Sequence, residues 1–193
     1  MTARAAALAR ARRVALVVMD VDGVLTDGRM VLSERGDELK AFHTRDGIAV
    51  ELARRAGLRT AMITGENSAA AKARGSKLGV DAVRIGVRRK GEGVETLRRE
   101  LGVEADAVAF IGDDLLDLPA LQIAGFAVAV ADAVAEVKAA AHLVTRAGGG
   151  AGALREAVEF ILRAQGAWSS VLAGFVRDHG GDEPRPPRRR RAR

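Results

Sequence analysis

The chain has no cysteine. That excludes disulfide cross-links and thiolate metal ligation, and it is compatible with a reducing compartment. No apolar run approaches the roughly 20 residues that a membrane-spanning helix needs. The start also lacks the apolar core of a secretion signal. Residues 2–13, TARAAALARARR, are Arg-rich and free of acid like a transit peptide, but the segment is short and runs straight into an apolar strand. A cytoplasmic protein is expected. There is no internal repeat.

Net charge is +6 over 193 residues, and this excess sits at the ends. Residues 1–13 carry +4 and residues 177–193 carry another +4, which leaves −2 for residues 14–176. Nucleic acid is therefore not the expected partner of the globular part. The Arg-rich end, Arg188–Arg191, offers a polyanion-binding alternative. Residues 166–193 read as a tail, with Pro184, Pro186 and Pro187 among arginines and a disordered end. The expected organisation is a basic N-terminal extension (1–13), one domain (14–165) and this tail (166–193).

Within 14–165, apolar runs alternate with helical stretches. Val14–Met19 is unbroken and apolar, as in a strand buried on both faces. Further strands are expected at Leu58–Ile63, Val80–Ile85, Val108–Ile111, Phe126–Val130 and Leu143–Thr145. Helices are expected at Ile48–Ala56, Ser68–Leu78, Gly91–Leu101, up to Ile123, Ala133–Ala141 and Ala153–Ala164. The pattern is α/β, a doubly wound, Rossmann-like parallel sheet. Met30–Leu32 and Glu38–Phe42, around a polar glycine turn, read as a small hairpin that projects and pairs elsewhere.

Polar clusters fall at the strand ends: Asp20/Asp22, Thr64-Gly65, Lys90 and Asp113/Asp114/Asp117. In a parallel sheet these ends share one edge, where ligands bind. Each cluster alone has a plain structural explanation, as a turn, a helix cap or a solvated charge run. Together they bring carboxylates, a hydroxyl and an ammonium to one place. Close acids require a cation or a proton between them. Oxygen ligands with room for water suit Mg²⁺, and a lysine beside a helix start suits phosphate. A carboxylate can itself be the nucleophile. The chemistry indicated is Mg²⁺-dependent transfer of a phosphoryl group from a monoester to water.

The segments DVDGVLTD (20–27), Thr64-Gly65, Lys90 and GDDLLD (112–117) resemble the four signature motifs of the haloacid dehalogenase superfamily. Within it, the chain is similar to the small capless phosphatases of 2-keto-3-deoxy sugar acid phosphates, typified by 3-deoxy-D-manno-octulosonate 8-phosphate phosphatases of lipopolysaccharide precursor synthesis. GDELKAF (36–42), Arg45-Asp46-Gly47 and GGAGALRE (149–156) extend the match. The resemblance implies a haloacid dehalogenase core with no cap domain, and a homotetramer in which neighbouring subunits close each site. It makes Asp20 the nucleophile and Asp22 the general acid and base. Mg²⁺ falls to Asp20, the Asp22 carbonyl and Asp113. Thr64 and Lys90 hold the phosphoryl group, and Asp117 supports Lys90 or the metal's water shell. Binding of the sugar acid falls to Asp22, His43, Thr44, Arg45, Asp46, Gly47, Gly65, Glu66, Arg74, Lys77 and Lys90.

One departure concerns specificity. Octulosonate phosphatases of this type usually carry Arg after Thr-Gly, where this chain has Glu66; a second Arg position aligns with Glu51, and Arg74 is retained. Glu66 with Lys77 resembles phosphatases of 2-keto-3-deoxynononate or N-acylneuraminate 9-phosphate, the alternative substrates. A phosphorelay receiver domain, which also gathers acids, a Thr and a Lys at strand ends, is the alternative from another functional class.

Overall fold

A computed structural model describes residues 2–182. Its main sheet has six parallel strands: β1 (Leu16–Asp20), β4 (Arg59–Ile63), β5 (Ala82–Arg84), β6 (Val108–Gly112), β7 (Phe126–Ala129) and β8 (Leu143–Val144), in the order β5-β4-β1-β6-β7-β8. Counted within the sheet this is 3-2-1-4-5-6, the Rossmann-type doubly wound order. Receiver domains of the CheY type use 2-1-3-4-5, so the sheet order argues against the signalling alternative.

Every residue of β1 is buried. Successive side chains of a strand point to opposite faces, so both faces of the sheet must be covered. Helices α1 (Ala3–Ala11), α2 (Thr44–Arg55), α7 (Ala153–Ala164) and α8 (Trp168–Asp178) pack together; α4 (Lys90–Glu100), α5 (Leu118–Ile123) and α6 (Ala135–Ala140) form a second group, and α3 (Ala69–Leu78) lies against β5. Phe110, Phe126, Leu16, Met19, Met62 and Leu154 are among the largest side chains fully enclosed in the core between them.

The expected hairpin is present as β2 (Val31–Leu32) paired antiparallel with β3 (Glu38–Leu39) in a separate two-stranded sheet. Met30, Val31, Leu32 and Leu39 are all more than half exposed, so the hairpin projects from the body of the chain.

Both ends differ from the sequence reading. The N-terminal extension folds as α1, capped by Thr2, with Ala7 and Ala11 buried in the core. Arg10 donates to the Gly125 carbonyl at 3.0 Å. Alanines four apart make one narrow face on a helix, a weak apolar signal among arginines. The first part of the expected tail is helix α8, which buries Val171, packs Trp168 and Phe175 on the core, and bridges Asp178 to Arg55 of α2 at 2.6 Å. The Arg-rich end, Arg188–Arg191, lies outside the described residues.

Smaller differences fall at element ends. Helix α2 starts at Thr44, four residues earlier than expected, because the His43 side chain accepts the Arg45 N–H as N-cap. Lys90 is the first residue of α4. The third strand shortens to Ala82–Arg84.

Candidate active site

Strands β1, β4 and β6 lie side by side, with Asp20 level with Ile63 in the β1–β4 register. Their carboxyl ends therefore deliver Asp20, Thr64 and Asp113 to one point. This is also where the sheet order reverses, the usual ligand crevice of such sheets. A cavity of about 230 Å³ opens there, lined by Asp20, Asp22, Gly65, Lys90, Asp113 and Leu116 among others.

Asp20 is buried. Lys90 reaches it from the start of α4, with Nζ 2.8 Å from Asp20 Oδ1 and 2.6 Å from Asp117 Oδ1. The pairing with Asp117 is a hydrogen bond. Asp20 Oδ1, although at ion-pair distance from Lys90, has no aligned hydrogen-bond donor, and buried Asp113 Oδ1 also lacks one.

Oxygens of Asp20, Asp113 and Asp117 lie within 4.8 Å of one another. Burial first, then the Asp117 charge, pushes the Asp20 carboxyl up to about 7. Burial, then Asp20 and Asp117, pushes Asp113 up to about 8. Burial lowers the Lys90 ammonium, but the two carboxylates outweigh it and its pKa rises. Carboxylate oxygens of three acids gathered within 4.8 Å, with Asp113 Oδ1 buried and without a donor, fit a hard divalent cation.

Asp117 differs from the other two acids. Its Oδ1 is taken by Lys90, and its Oδ2 accepts the Asp113 N–H at 2.9 Å and the Asp114 N–H at 3.4 Å. It anchors both Lys90 and the turn that carries Asp113.

The Asp22 side chain faces a different set of groups. Thr64 Oγ1 donates to Asp22 Oδ2 at 2.9 Å, and the Lys40 ammonium contacts Asp22 Oδ1. Lys40 arrives from the far side of the hairpin, its side chain only 2% exposed, and its Nζ also lies 2.5 Å from Glu38 Oε1. Burial lowers the Lys40 pKa, and the bonds to Asp22 and Glu38 more than reverse that. The sequence reading assigned Lys40 no role. The signal available was a lysine within the GDELKAF segment, one residue past β3.

Glycines let the loop after β1 pass close to its neighbours. Gly23 has φ +93°, and a Cβ there would stand 2.0 Å from Asp113 Oδ2. A Cβ on Gly149 would stand 1.9 Å from the Gly23 carbonyl oxygen, and the Gly150 N–H donates to the Val24 carbonyl at 3.0 Å. The glycine-rich segment before α7 is thus a brace for the DVDG turn.

The expected sugar-acid residues divide among several places. Gly65 and Glu66 line the cavity at Asp20, and Glu66 is exposed. Thr44, Gly47, Glu51, Arg74 and Lys77 line a second groove of about 370 Å³. Arg45 lines a third with Arg146 and Arg155. His43 serves as the cap of α2. Asp46 is buried, and its Oδ1 accepts the Arg155 N–H at 3.0 Å near the start of α7. Within one chain, only Asp22, Gly65, Glu66 and Lys90 of this set gather at the nucleophile.

The chain is similar to known proteins in sequence and in fold. Residues 65–152 match the haloacid dehalogenase-like hydrolase family. The chain is 38% identical to 3-deoxy-D-manno-octulosonate 8-phosphate phosphatase of Escherichia coli K12, over 82% of this chain and 85% of that one. It is 39% identical to the Haemophilus influenzae enzyme of the same name, over 83% and 91%. The crystal structure of the Moraxella catarrhalis phosphatase, in complex with magnesium, phosphate and KDO, superposes with a TM-score of 0.85 at 36% identity, covering 88% of this chain and 97% of that one. With 38–39% identity over more than four-fifths of its length, the chain belongs to the 3-deoxy-D-manno-octulosonate 8-phosphate phosphatase family of haloacid dehalogenase-like hydrolases.

Proposed function

We propose that this protein is a Mg²⁺-dependent phosphatase that releases phosphate from 3-deoxy-D-manno-octulosonate 8-phosphate through a phosphorylated Asp20. The observation that carries the reading is Asp20 at the end of β1, with Lys90 Nζ at 2.8 Å and a second acid, Asp113, within 4.8 Å. Similarity to phosphatases of that name over more than four-fifths of the chain supports the substrate.

Asp20, Asp113 and the Asp22 main-chain carbonyl would hold Mg²⁺, and Asp117 would act beyond them through Lys90 and the Asp113 turn. Bound there, the cation offsets charge on the Asp20 carboxylate and on the phosphoryl oxygens. In the first step an Asp20 oxygen bonds to phosphorus, the P–O bond to the sugar breaks, and Asp22 gives its proton to the departing oxygen. In the second, water bonds to phosphorus, the P–O bond to Asp20 breaks, and Asp22 takes back the water's proton. Thr64 and Lys90 hold the transferring group.

Glu66, Arg74, Lys77 and the segment His43–Gly47 are proposed to bind the sugar acid. They do not converge in one chain, and a homotetramer that joins neighbouring grooves reconciles them with one substrate; the exposed hairpin is its proposed contact. A cytoplasmic location is proposed on the same footing. Among the described residues, no helix is long and apolar enough to cross a membrane.

Steady-state hydrolysis of the octulosonate 8-phosphate, with and without Mg²⁺, tests the reading. A kcat/KM well above that for unrelated sugar phosphates, lost on chelation, is expected. No preference for the keto acid would remove the substrate assignment; no Mg²⁺ dependence would remove the metal-assisted mechanism.

A further inference from the structure

We propose that Lys40 is a positioning residue for Asp22, holding the acid–base carboxylate in the direction that serves both proton transfers. The inference rests on the phosphatase reading and adds to it a residue from the projecting hairpin.

Asp22 is the first acidic residue after β1, in a turn where its χ angles have no sheet to hold them. Two donors fix it instead. Thr64 Oγ1 binds one carboxylate oxygen at 2.9 Å, and the Lys40 ammonium contacts the other. With both oxygens engaged from different elements, rotation about the Cα–Cβ and Cβ–Cγ bonds is closed off. Thr64 alone would leave the carboxylate free to swing about that single bond.

The Lys40 side chain is not a solvated surface lysine. It is 2% exposed and reaches back toward the site from the hairpin's return arm. Glu38 Oε1, 2.5 Å from the same ammonium, aims it from the far side. Glu38 lies within β3 opposite Leu32 of β2, so the clamp ties the hairpin directly to Asp22. Burying an ammonium is costly unless paired, and the structure meets that cost here with two carboxylates, one of them catalytic. An ion pair needed only for the hairpin's own stability would be satisfied by Glu38.

The consequence depends on the leaving group. Loss of an alkoxide requires a proton from Asp22 as the P–O bond breaks, whereas p-nitrophenolate leaves without one. A misdirected Asp22 therefore slows phosphorylation of Asp20 by an alkyl phosphate and hydrolysis of the phosphorylated Asp20, but spares phosphorylation by p-nitrophenyl phosphate. Displacement of a catalytic group by about 1 Å costs on the order of 100-fold.

The experiment is rapid-mixing kinetics of the full-length Mg²⁺-loaded protein and its Lys40→Met and Lys40→Arg variants. The expected result for Lys40→Met is a p-nitrophenolate burst within about 3-fold of wild type. Steady-state turnover, and single turnover of an alkyl phosphate, should fall by about 10- to 100-fold. Lys40→Arg should recover part of the loss. If Lys40→Met does not fold, Lys40→Gln is put through the same comparison. Equal slowing of burst and alkyl transfer would reduce Lys40 to a structural role, and no slowing of either would remove it from the mechanism. Both results overturn the proposal. Any alkyl phosphomonoester that the wild type turns over serves, so the test stands apart from the sugar's identity. A wild type inactive on every phosphomonoester would instead overturn the phosphatase reading.

Discussion

Lys90 Nζ sits 2.6 Å from Asp117 and 2.8 Å from Asp20, so one buried ammonium joins the nucleophile to the acid that anchors the Asp113 turn. Asp117 is fully buried, and its loss would leave Lys90 turned wholly toward Asp20. The Asp113 and Asp114 N–H groups would also lose their acceptor, and leaving such a donor unsatisfied costs about 1–3 kcal/mol. Asp117→Ala is expected to lower unfolding stability by that order and to weaken Mg²⁺ binding, because the Asp113 turn loses its acceptor. Urea denaturation and Mg²⁺ titration of turnover check it; a variant with both unchanged would remove Asp117 from this role.

Asp20→Asn tests the nucleophile separately from the fold. It keeps the shape of the side chain and removes the attacking charge. Phosphate release is expected to fall at least about 10³-fold. The metal-free variant should be no less stable than wild type near pH 8, since a repulsive charge facing Asp113 and Asp117 has gone. Turnover retained at the wild-type level would rule out a phosphorylated Asp20.

The acidic centre predicts how stability varies with pH. Asp20 and Asp113 are held at about 7 and about 8, against an ordinary value of 3.8. The folded state therefore binds more protons than the unfolded one between these values. Their contribution to stability is complete below about pH 4 and is lost as pH rises through 7 to 8. In EDTA the melting temperature is expected to decline across pH 5–9. Saturating Mg²⁺ should flatten the decline, because a cation replaces the protons. Parallel curves with and without Mg²⁺ would count against a cation between these carboxylates.

Gly149 supports the nucleophile's turn by having no side chain. A methyl group there would meet the Gly23 carbonyl oxygen at 1.9 Å, a backbone atom with no side-chain freedom to yield. Gly149→Ala must therefore displace the DVDG turn or the glycine segment that braces it. The expected outcome is a raised Mg²⁺ requirement and a kcat lowered by about 10-fold or more, with far-ultraviolet circular dichroism preserved. Normal Mg²⁺ dependence would show that the brace is not needed.

Glu66 stands exposed at the mouth of the catalytic cavity. An acid beside an anionic sugar acid opposes binding, and arginine would reverse the sign of that interaction. Glu66→Arg is expected to raise kcat/KM for the 8-phosphate relative to the nononate 9-phosphate by about 10-fold. An unchanged ratio would take Glu66 out of specificity.

The sequence by itself determined the reaction chemistry and the sheet. Apolar runs ending in Asp20, Thr64 and Asp113 are local patterns, and a parallel sheet necessarily brings such ends to one edge. Lys90, displaced from its strand, still joins them because it opens the next helix. The tertiary structure decided what depends on approach between distant segments. The contact of Lys40 with Asp22 spans a hairpin with weak alternation. The closeness of Gly149 to Gly23 is visible only as space where a Cβ would not fit. The packing of α1 rests on two buried alanines that composition hides among arginines. Asp46 follows the same logic: its sequence motif marked it for substrate, and only the fold shows that its Oδ1 also accepts the Arg155 N–H at the start of α7. Periodicity reports which face of an element is buried, but not which far residue it meets there.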